Sequence, residues 1–466
     1  MSKYLKNTLA DYSDGDRKAI KNASFIKMDT SRTIGGNIDF DNAVSHLEAY
    51  DKVWKKSIGK RSRFIKHKGF IKHCLTFIMS PSRKRYFSVL TGNQKGGCHT
   101  YLSVAYTLDL MENIGWINRI PYDIVVACCD DKGPRSRIEV LDKAPKISKV
   151  FKVKQVGKVA SNVEVRRITV CDESEAYSGG TYTKADEVED EELLKQYNQL
   201  MNDTVIRDVN GNQNPWLYPL RRIVNLKDYT KKNGKKIKGT SNGRFYGPEY
   251  LTMSEDKRLQ HTFDGQPIAE VDIHRCFPQF AFHMNNIPVP DLDNLYDIPD
   301  DIQKSTNVQS FLKDKREDKI PKRIFMYAFN LSRKQSWKKK IKKDWGITSE
   351  QAERIVLRME PINSLLFNRS IGHELMFMES QIVKHVLQQA IKELIPVIPI
   401  HDSFMVPEGK EAWVIACINN AYHKQFHTPT ISKTVDINGR KYFHNQVQVT
   451  ITYSDGSKLF FPKPIT

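Results

Sequence analysis

Nothing in this chain reads as a membrane span: no run of eighteen or more apolar residues occurs, and none is expected to cross a bilayer. The opening Met1-Ser2-Lys3-Tyr4-Leu5 lacks the apolar core of a signal peptide. Cysteine is sparse too. Seven of them, an odd number widely scattered, do not form a disulfide framework and suit a reducing compartment. The expected location is therefore cytoplasmic, the bacterial host cytoplasm if a phage or plasmid encodes the chain. His67, His73, Cys74, Cys98 and His99 fit no standard zinc-finger spacing and read as packing residues. Gly92-Asn93-Gln94-Lys95-Gly96-Gly97 lacks the spacing and the Lys-Ser/Thr ending of a phosphate loop and reads as a turn. No internal repeat of solenoid length is present.

Negative charge is in deficit. Lys and Arg number 73 against 54 Asp and Glu, a net charge of +19. An excess of that size favours a polyanionic partner, because neutralising phosphates releases condensed counterions. With 39% hydrophobic and 10% aromatic residues over 466 positions, the chain can build two or three cores.

Four stretches can be separated. Residues 1–80 form a basic N-terminal region with helical patches such as Asn42 to Trp54. In 81–180, a helix over Thr100 to Ile117, a strand over Tyr122 to Ala127 and a turn at Asp130 to Pro134 suggest a winged helix. Arg135-Ser136-Arg137-Ile138-Glu139-Val140-Leu141 would then be its wing, with Arg135 and Arg137 as nucleic-acid-binding residues. Residues 181–239 read as a linker and thumb-like helical segment, acidic from Thr183 to Glu192 and strongly basic from Lys227 to Lys238. Residues 240–466 carry the chemistry.

There, His401-Asp402-Ser403 follows the apolar run Ile395 to Ile400 and precedes Phe404-Met405-Val406. A carboxylate on a turn between two β-prone apolar segments builds a core poorly but holds an anion rigidly where a cation can meet it. Ala269-Glu270-Val271-Asp272-Ile273 offers a second aspartate on a second apolar strand. Two such carboxylates can hold a pair of divalent ions that clamp the attacking and leaving oxygens of a phosphoryl transfer. Further along, Ile320 to Asn330 should be helical from Pro321, with Lys322, Met326 and Asn330 on one face and Lys319, Arg323 and Tyr327 on an adjacent one. Leu375 to Leu394 reads as a long amphipathic helix, with Glu379 and Ser380 beside its apolar stripe.

In order, Thr240-Ser241-Asn242-Gly243-Arg244, Asp272, the basic helix around Lys322 and His401-Asp402-Ser403 resemble the four polymerase motifs of family A DNA polymerases and the related single-subunit phage RNA polymerases. The resemblance covers 240–406, about a third of the chain. It implies an α+β fold: a right-hand palm with reduced fingers, behind a basic α+β N-terminal region. Asp272 and Asp402 would be catalytic and would ligate two Mg²⁺ (or Mn²⁺) with the Ile273 carbonyl. Lys322, Arg323, Tyr327 and Phe277 would bind the nucleotide, while Arg244, Arg258, His401 and Glu379 would meet the template-primer. Phe277, five residues after Asp272, stands where a side chain can exclude a ribose 2′-OH. The departure lies in the fingers motif, whose usual arginine falls on Asp318. No spaced pair of carboxylates marks a proofreading site, Asp172 and Glu173 being adjacent.

The expected function is template-directed DNA synthesis, with DNA template-primer, nucleoside triphosphates and replisome proteins as partners. Two alternatives stay open: a single-subunit RNA polymerase, and a replication initiator or DNA-binding protein with a non-catalytic palm.

Overall fold

The computed structural model describes the chain apart from residues 1–9, 11, 22, 27–31, 36–37, 81–84, 91–100, 121–123, 126–134, 147–151, 156–160, 170–181, 215, 217–218, 286, 288, 290–291, 293–294, 296, 298, 304–318, 331–340, 344–345, 361, 363–370, 427–446 and 462–466. Four sheets occur among the described residues, in a mixed α and β architecture. No helix among them is long and apolar enough to cross a membrane.

The first sheet has the order β1 (Ser24–Ile26), β3 (Tyr86–Leu90), β5 (Arg135–Val140), β4 (Ile117–Arg119). Helices Ile38–Ser57, Phe64–Met79 and Tyr101–Asn113 share one core with it, built on Phe40, Leu47, Ile71, Leu75, Val89, Leu108, Ile117 and Ile138. Two expectations change here. Residue 80 is no boundary, because strands from both sides of it join one sheet over one core. The segment expected to be a wing is β5, an interior strand hydrogen-bonded to β3 on one edge and β4 on the other. Arg137 is buried there, its guanidinium donating to Ser88 Oγ at 2.7 Å and to the Ile20 carbonyl at 3.2 Å. An arginine so enclosed braces a sheet and does not reach a phosphate backbone. The Arg135 side chain lies outside the described residues, as do the Asp130 to Pro134 turn and the glycine run at 92–97. Of the expected strand Tyr122 to Ala127, the described Ile124 and Val125 are helical. A small two-stranded sheet joins β2 (Arg32–Gly35) to β6 (Lys152–Gln155).

The acidic stretch expected as a linker opens a helix instead. Thr183 caps Lys184–Asp203 with a capping box closed by Asp186, so the carboxylates sit at the positive end of the helix. That helix belongs to the second core, which runs from Val163 to Ile451. β7 (Val163–Thr169) pairs in parallel with β9 (Arg221–Thr230), which forms a hairpin with β10 (Lys236–Tyr246). Consequently neither 180 nor 240 separates domains; the latter falls inside β10.

The main sheet centres on β12 (Gln266–Ile273). Asp264 and Gly265, with φ of 49° and 86°, make the two-residue turn into it from β11 (Thr262–Phe263), since both loop positions of such a hairpin take positive φ. β14 (Ser403–Pro407) lies on one edge of β12, β11 and β15 (Val449–Thr452) share the other, and β13 (Ile398–Ile400), β16 (Lys458–Phe461) and β8 (Ile206–Arg207) complete the sheet. Long helix Gly372–Glu393 buries Leu375, Ile382, Val386, Leu387 and Ala390. Its expected last residue, Leu394, is 75% exposed at φ 55°, ending the helix in the left-handed region.

Candidate active site

Ile398, Pro399 and Ile400 are all buried, as are Ser403 to Pro407, and Ile400 pairs with Ser403. This leaves His401 and Asp402 as a two-residue turn. His401 takes φ 60°, the positive value such a turn asks of its first residue. On the neighbouring strand Asp272 stands opposite Ser403, and the Ile273 N–H donates to the Asp402 carbonyl at 2.9 Å. Strand register therefore brings the two aspartates side by side. Burial pushes the Asp272 carboxyl well above the usual range; the charges of Asp402 and Glu270 push it further, and Lys322 pulls it back. The last effect places the exposed Lys322, from helix Lys319–Asn330, within electrostatic reach of the pair.

Glu270 was not anticipated, although its i, i+2 spacing from Asp272 puts both on one face of β12. Its carboxylate accepts two bonds from Arg258, at 2.8 and 2.6 Å, and one from Ser403 Oγ at 2.7 Å. Arg258, expected at the template-primer, is buried, and its third nitrogen donates to the Met253 carbonyl. It fixes the strand beneath Asp272 and does not face outward. Arg258 and Ser403 together leave neither Glu270 oxygen without a partner.

Thr240 to Arg244 forms a bulge in β10. Register shifts between Asn242 and Phe245, and Asn242 and Gly243 take φ of 68° and 74°. A Cβ on Gly243 would lie 2.6 Å from Ser380 Oγ, so only glycine permits this approach to the long helix. The bulge aims Arg244 at Glu379, with Nη2 and Oε2 2.6 Å apart, and sets its guanidinium 5.6 Å from the Phe277 ring centre. Burial raises the Glu379 pKa to about 8; Arg244 opposes the rise and Asp402 adds to it. Beneath lies Arg222, which sequence reasoning passed over. Fully buried, it donates to Asp190 at 2.6 Å, the Gly243 carbonyl at 2.9 Å and Ser380 Oγ at 3.0 Å, tying two helices to the bulge.

The His401 ring meets Tyr246 edge-on at 5.8 Å, and burial followed by the Arg244 charge lowers its pKa, with Asp402 opposing. His401, Arg244, Glu379 and Ser380 line one narrow crevice. Three buried atoms around it, His401 Nδ1, Arg244 Nε and Glu379 Oε1, have no hydrogen-bond partner among the described residues. Buried polar atoms are nearly always satisfied, so three orphans together are unusual, and the crevice itself is too narrow to admit a water molecule.

Phe277 is 6% exposed, its ring edge-on to Phe329 at 6.0 Å. Phe277 is thus a buried ring packed between the basic helix and Arg244. Along the basic helix, Ile324, Phe325, Ala328 and Phe329 are buried, Lys322 and Arg323 are exposed and Tyr327 is half-buried. The structure thus brings together Asp272, Asp402, Ile273, Lys322, Arg244, Glu379, His401 and Phe277. Arg137 lies elsewhere, in the first sheet.

No protein-family profile matches the chain, and no curated protein matches it. Among solved structures it has a loose likeness to the POL domain of Pol1 from M. smegmatis, solved in complex with DNA primer-template and dNTP, at 11% identity and a TM-score of 0.25. The overlap covers 89% of this chain and 65% of that one, so the chain spans less than two thirds of that domain's length. Similarity at that level assigns neither fold nor activity, and the reading below rests on the chain's own residues.

Proposed function

We propose that this chain is a template-directed nucleotidyltransferase of the family A polymerase type, a compact DNA polymerase of phage or plasmid replication. The observation that supports it most is the pairing of Asp272 and Asp402 on adjacent strands. Burial, then the charges of Asp402 and Glu270, raise the Asp272 carboxyl, with Lys322 as the opposing charge, and both aspartates stay partly open to solvent. Such a site suits a hard cation: two carboxylates and the Ile273 carbonyl are oxygen donors of the kind Mg²⁺ or Mn²⁺ takes. Among the described residues no cluster of three or more His, Cys, Asp or Glu could hold a metal, so water and a triphosphate would complete the shell. Bound there, two such ions supply charge neutralisation to a primer 3′ oxygen and a departing pyrophosphate.

The chain's own groups do the remainder. Lys322, exposed on its helix and within electrostatic reach of Asp272, offers a cation to the triphosphate, with Arg323 beside it. Tyr327, five residues on, offers a ring to the base. Arg244, held by Glu379 and lying over Phe277, would meet the primer end of the template-primer together with His401, with which it shares the crevice. Holding these groups rigidly before substrate arrives is what lowers the barrier in this kind of chemistry.

A primer-extension assay with Mg²⁺, run on DNA and RNA templates with dNTP and rNTP sets, tests the reading. The expected result is metal-dependent extension with dNTPs. Extension with rNTPs alone would move the assignment to a single-subunit RNA polymerase. No incorporation by a folded, nucleic-acid-binding chain would leave a DNA-binding protein with a silent palm.

A further inference from the structure

The far end of the β9–β10 hairpin, away from Arg222 and the Arg244 bulge, lies outside the site described so far. Between Thr230 and Gly239 it carries five lysines and no carboxylate. The tip is built rather than loose: Lys231 N–H donates to the Lys235 carbonyl, Gly234 N–H to the Lys231 carbonyl, and Lys235 N–H to Asn233 Oδ1, with Gly234 at φ 80°. Lys232, Lys235, Lys236 and Lys238 are exposed and make no ion pair among the described residues. Four like charges held this closely, with no counter-charge of their own, repel one another unless an anion lies against them.

Position says which anion. One continuous strand, β10, leads from Lys236 to Arg244, a path of about 25 Å at strand rise. Beside it, Gly372 starts the long helix so close to Asn330, the end of the basic helix, that a Cβ there would lie 2.1 Å from Asn330 Oδ1. Burial lowers the pKa of His373, next along, and the charges of Lys227 in β9 and Arg244 in β10 lower it further, so both cations are within electrostatic reach of it. The root of the hairpin, with Arg244 against Glu379 and Phe277, thus lies at the site; its middle, at Lys227 and Gly239, lies near His373 and so near Gly372 and Asn330; its tip lies farther out along β10. On the polymerase reading, with a triphosphate at Lys322 and its base toward Tyr327, the pairing partner of that base would lie farther along the basic helix, toward Asn330.

We propose that the lysine-loaded tip of the β9–β10 hairpin grips the phosphates of the single-stranded template ahead of the active site. This rests on the polymerase reading for the direction of the template, and on the hairpin's geometry for the rest. At about 25 Å the tip would engage phosphates roughly seven positions from the templating base, fewer where the strand is stretched.

The test is binding of the full chain to primer-templates of one fixed duplex with a 5′ overhang of either about 12 nucleotides, enough to reach the tip, or about 1. The variant combines Lys232→Ala, Lys235→Ala, Lys236→Ala and Lys238→Ala. On the long overhang its affinity should fall by on the order of tenfold or more, and the slope of log K against log salt should shrink by about 0.7 per lysine in contact. On the short overhang variant and parent should agree. Equal loss on both overhangs, or loss that follows duplex length, would overturn the proposal, as would no loss at all. All four side chains are exposed, so the melting temperature should not move; if it does, Lys232→Ala with Lys235→Ala alone must show the same overhang dependence. Because this is an equilibrium measurement, it separates from the activity reading: a chain that never extends a primer refutes the polymerase while leaving the overhang effect to be scored independently.

Discussion

At the scale of single residues, the carboxylate pair sets the sharpest expectations. Asp272 is ionised at a cost, since its pKa is raised by burial and by Asp402 and Glu270. A carboxyl whose folded-state pKa exceeds its unfolded value binds its proton more tightly when folded, so stability falls as pH rises through the folded value. Asp272→Asn should therefore raise the melting temperature by a few degrees at neutral pH without divalent ions, lose the stabilisation that Mg²⁺ gives the parent, and abolish synthesis. A calorimetric scan with and without Mg²⁺ decides this; a mutant less stable than the parent in metal-free buffer would contradict it. Phe277→Ala makes a different statement. A 6% exposed ring against Phe329 and Arg244 leaves a cavity costing roughly 3–5 kcal/mol when removed. Use of dNTP and rNTP should fall together. Were rNTP use to rise selectively at an unchanged melting temperature, the ring would be facing the sugar after all. Glu379 offers a third check. Burial raises its pKa to about 8, so Glu379→Gln, which keeps an acceptor for Arg244 without the charge, should retain most of the activity, whereas Glu379→Ala should lower both stability and kcat.

At the scale of elements, what was legible in the sequence followed periodicity and turn chemistry. The helices over Lys319–Asn330 and Gly372–Glu393, and the turn at His401-Asp402, were readable because apolar spacing and a polar break are local signals. Arg222 and Glu270 were not, because their meaning depends on partners more than 130 positions away for Ser380 and Ser403. The supposed wing failed for the same reason: an R-x-R stretch reads alike whether it is a solvent-facing loop or, as here, an interior strand whose Arg137 meets Ser88. Arg137→Ala should accordingly lower the melting temperature, by an amount typical of a buried hydrogen-bonded charge, about 3 kcal/mol, and leave the salt slope of nucleic-acid binding unchanged. A changed slope with no loss of stability would restore the wing. In β10, Gly243→Ala forces a Cβ into Ser380 Oγ at a positive φ. It should separate the bulge from the long helix and cost activity beyond its cost in stability, since Arg244 moves with it; equal kcat in a folded mutant would show the bulge to be dispensable.

At the scale of the whole molecule, the first core rests on a sheet braced by Arg137, and the second carries two aspartates on adjacent strands, with Lys322 in electrostatic reach of Asp272 and the arginine bulge against Glu379. The charge of +19 gives both a reason to meet nucleic acid. The domain boundaries escaped sequence reading because chain order is not spatial order: β7 crosses from before the acidic helix to pair with β9, and β15 returns from near the C-terminus to flank Asp272. The central claim is that Asp272 and Asp402 act as one metal-dependent catalytic pair. It is tested most directly by single-turnover dNTP incorporation on a primed DNA template, comparing the parent with Asp402→Asn and with Asp256→Asn as an exposed control. The account expects Mg²⁺-dependent incorporation by the parent and the control, and a loss on the order of a thousand-fold or more for Asp402→Asn, several kcal/mol of transition-state stabilisation, with template binding intact. Incorporation by Asp402→Asn at a rate near the parent's would contradict it.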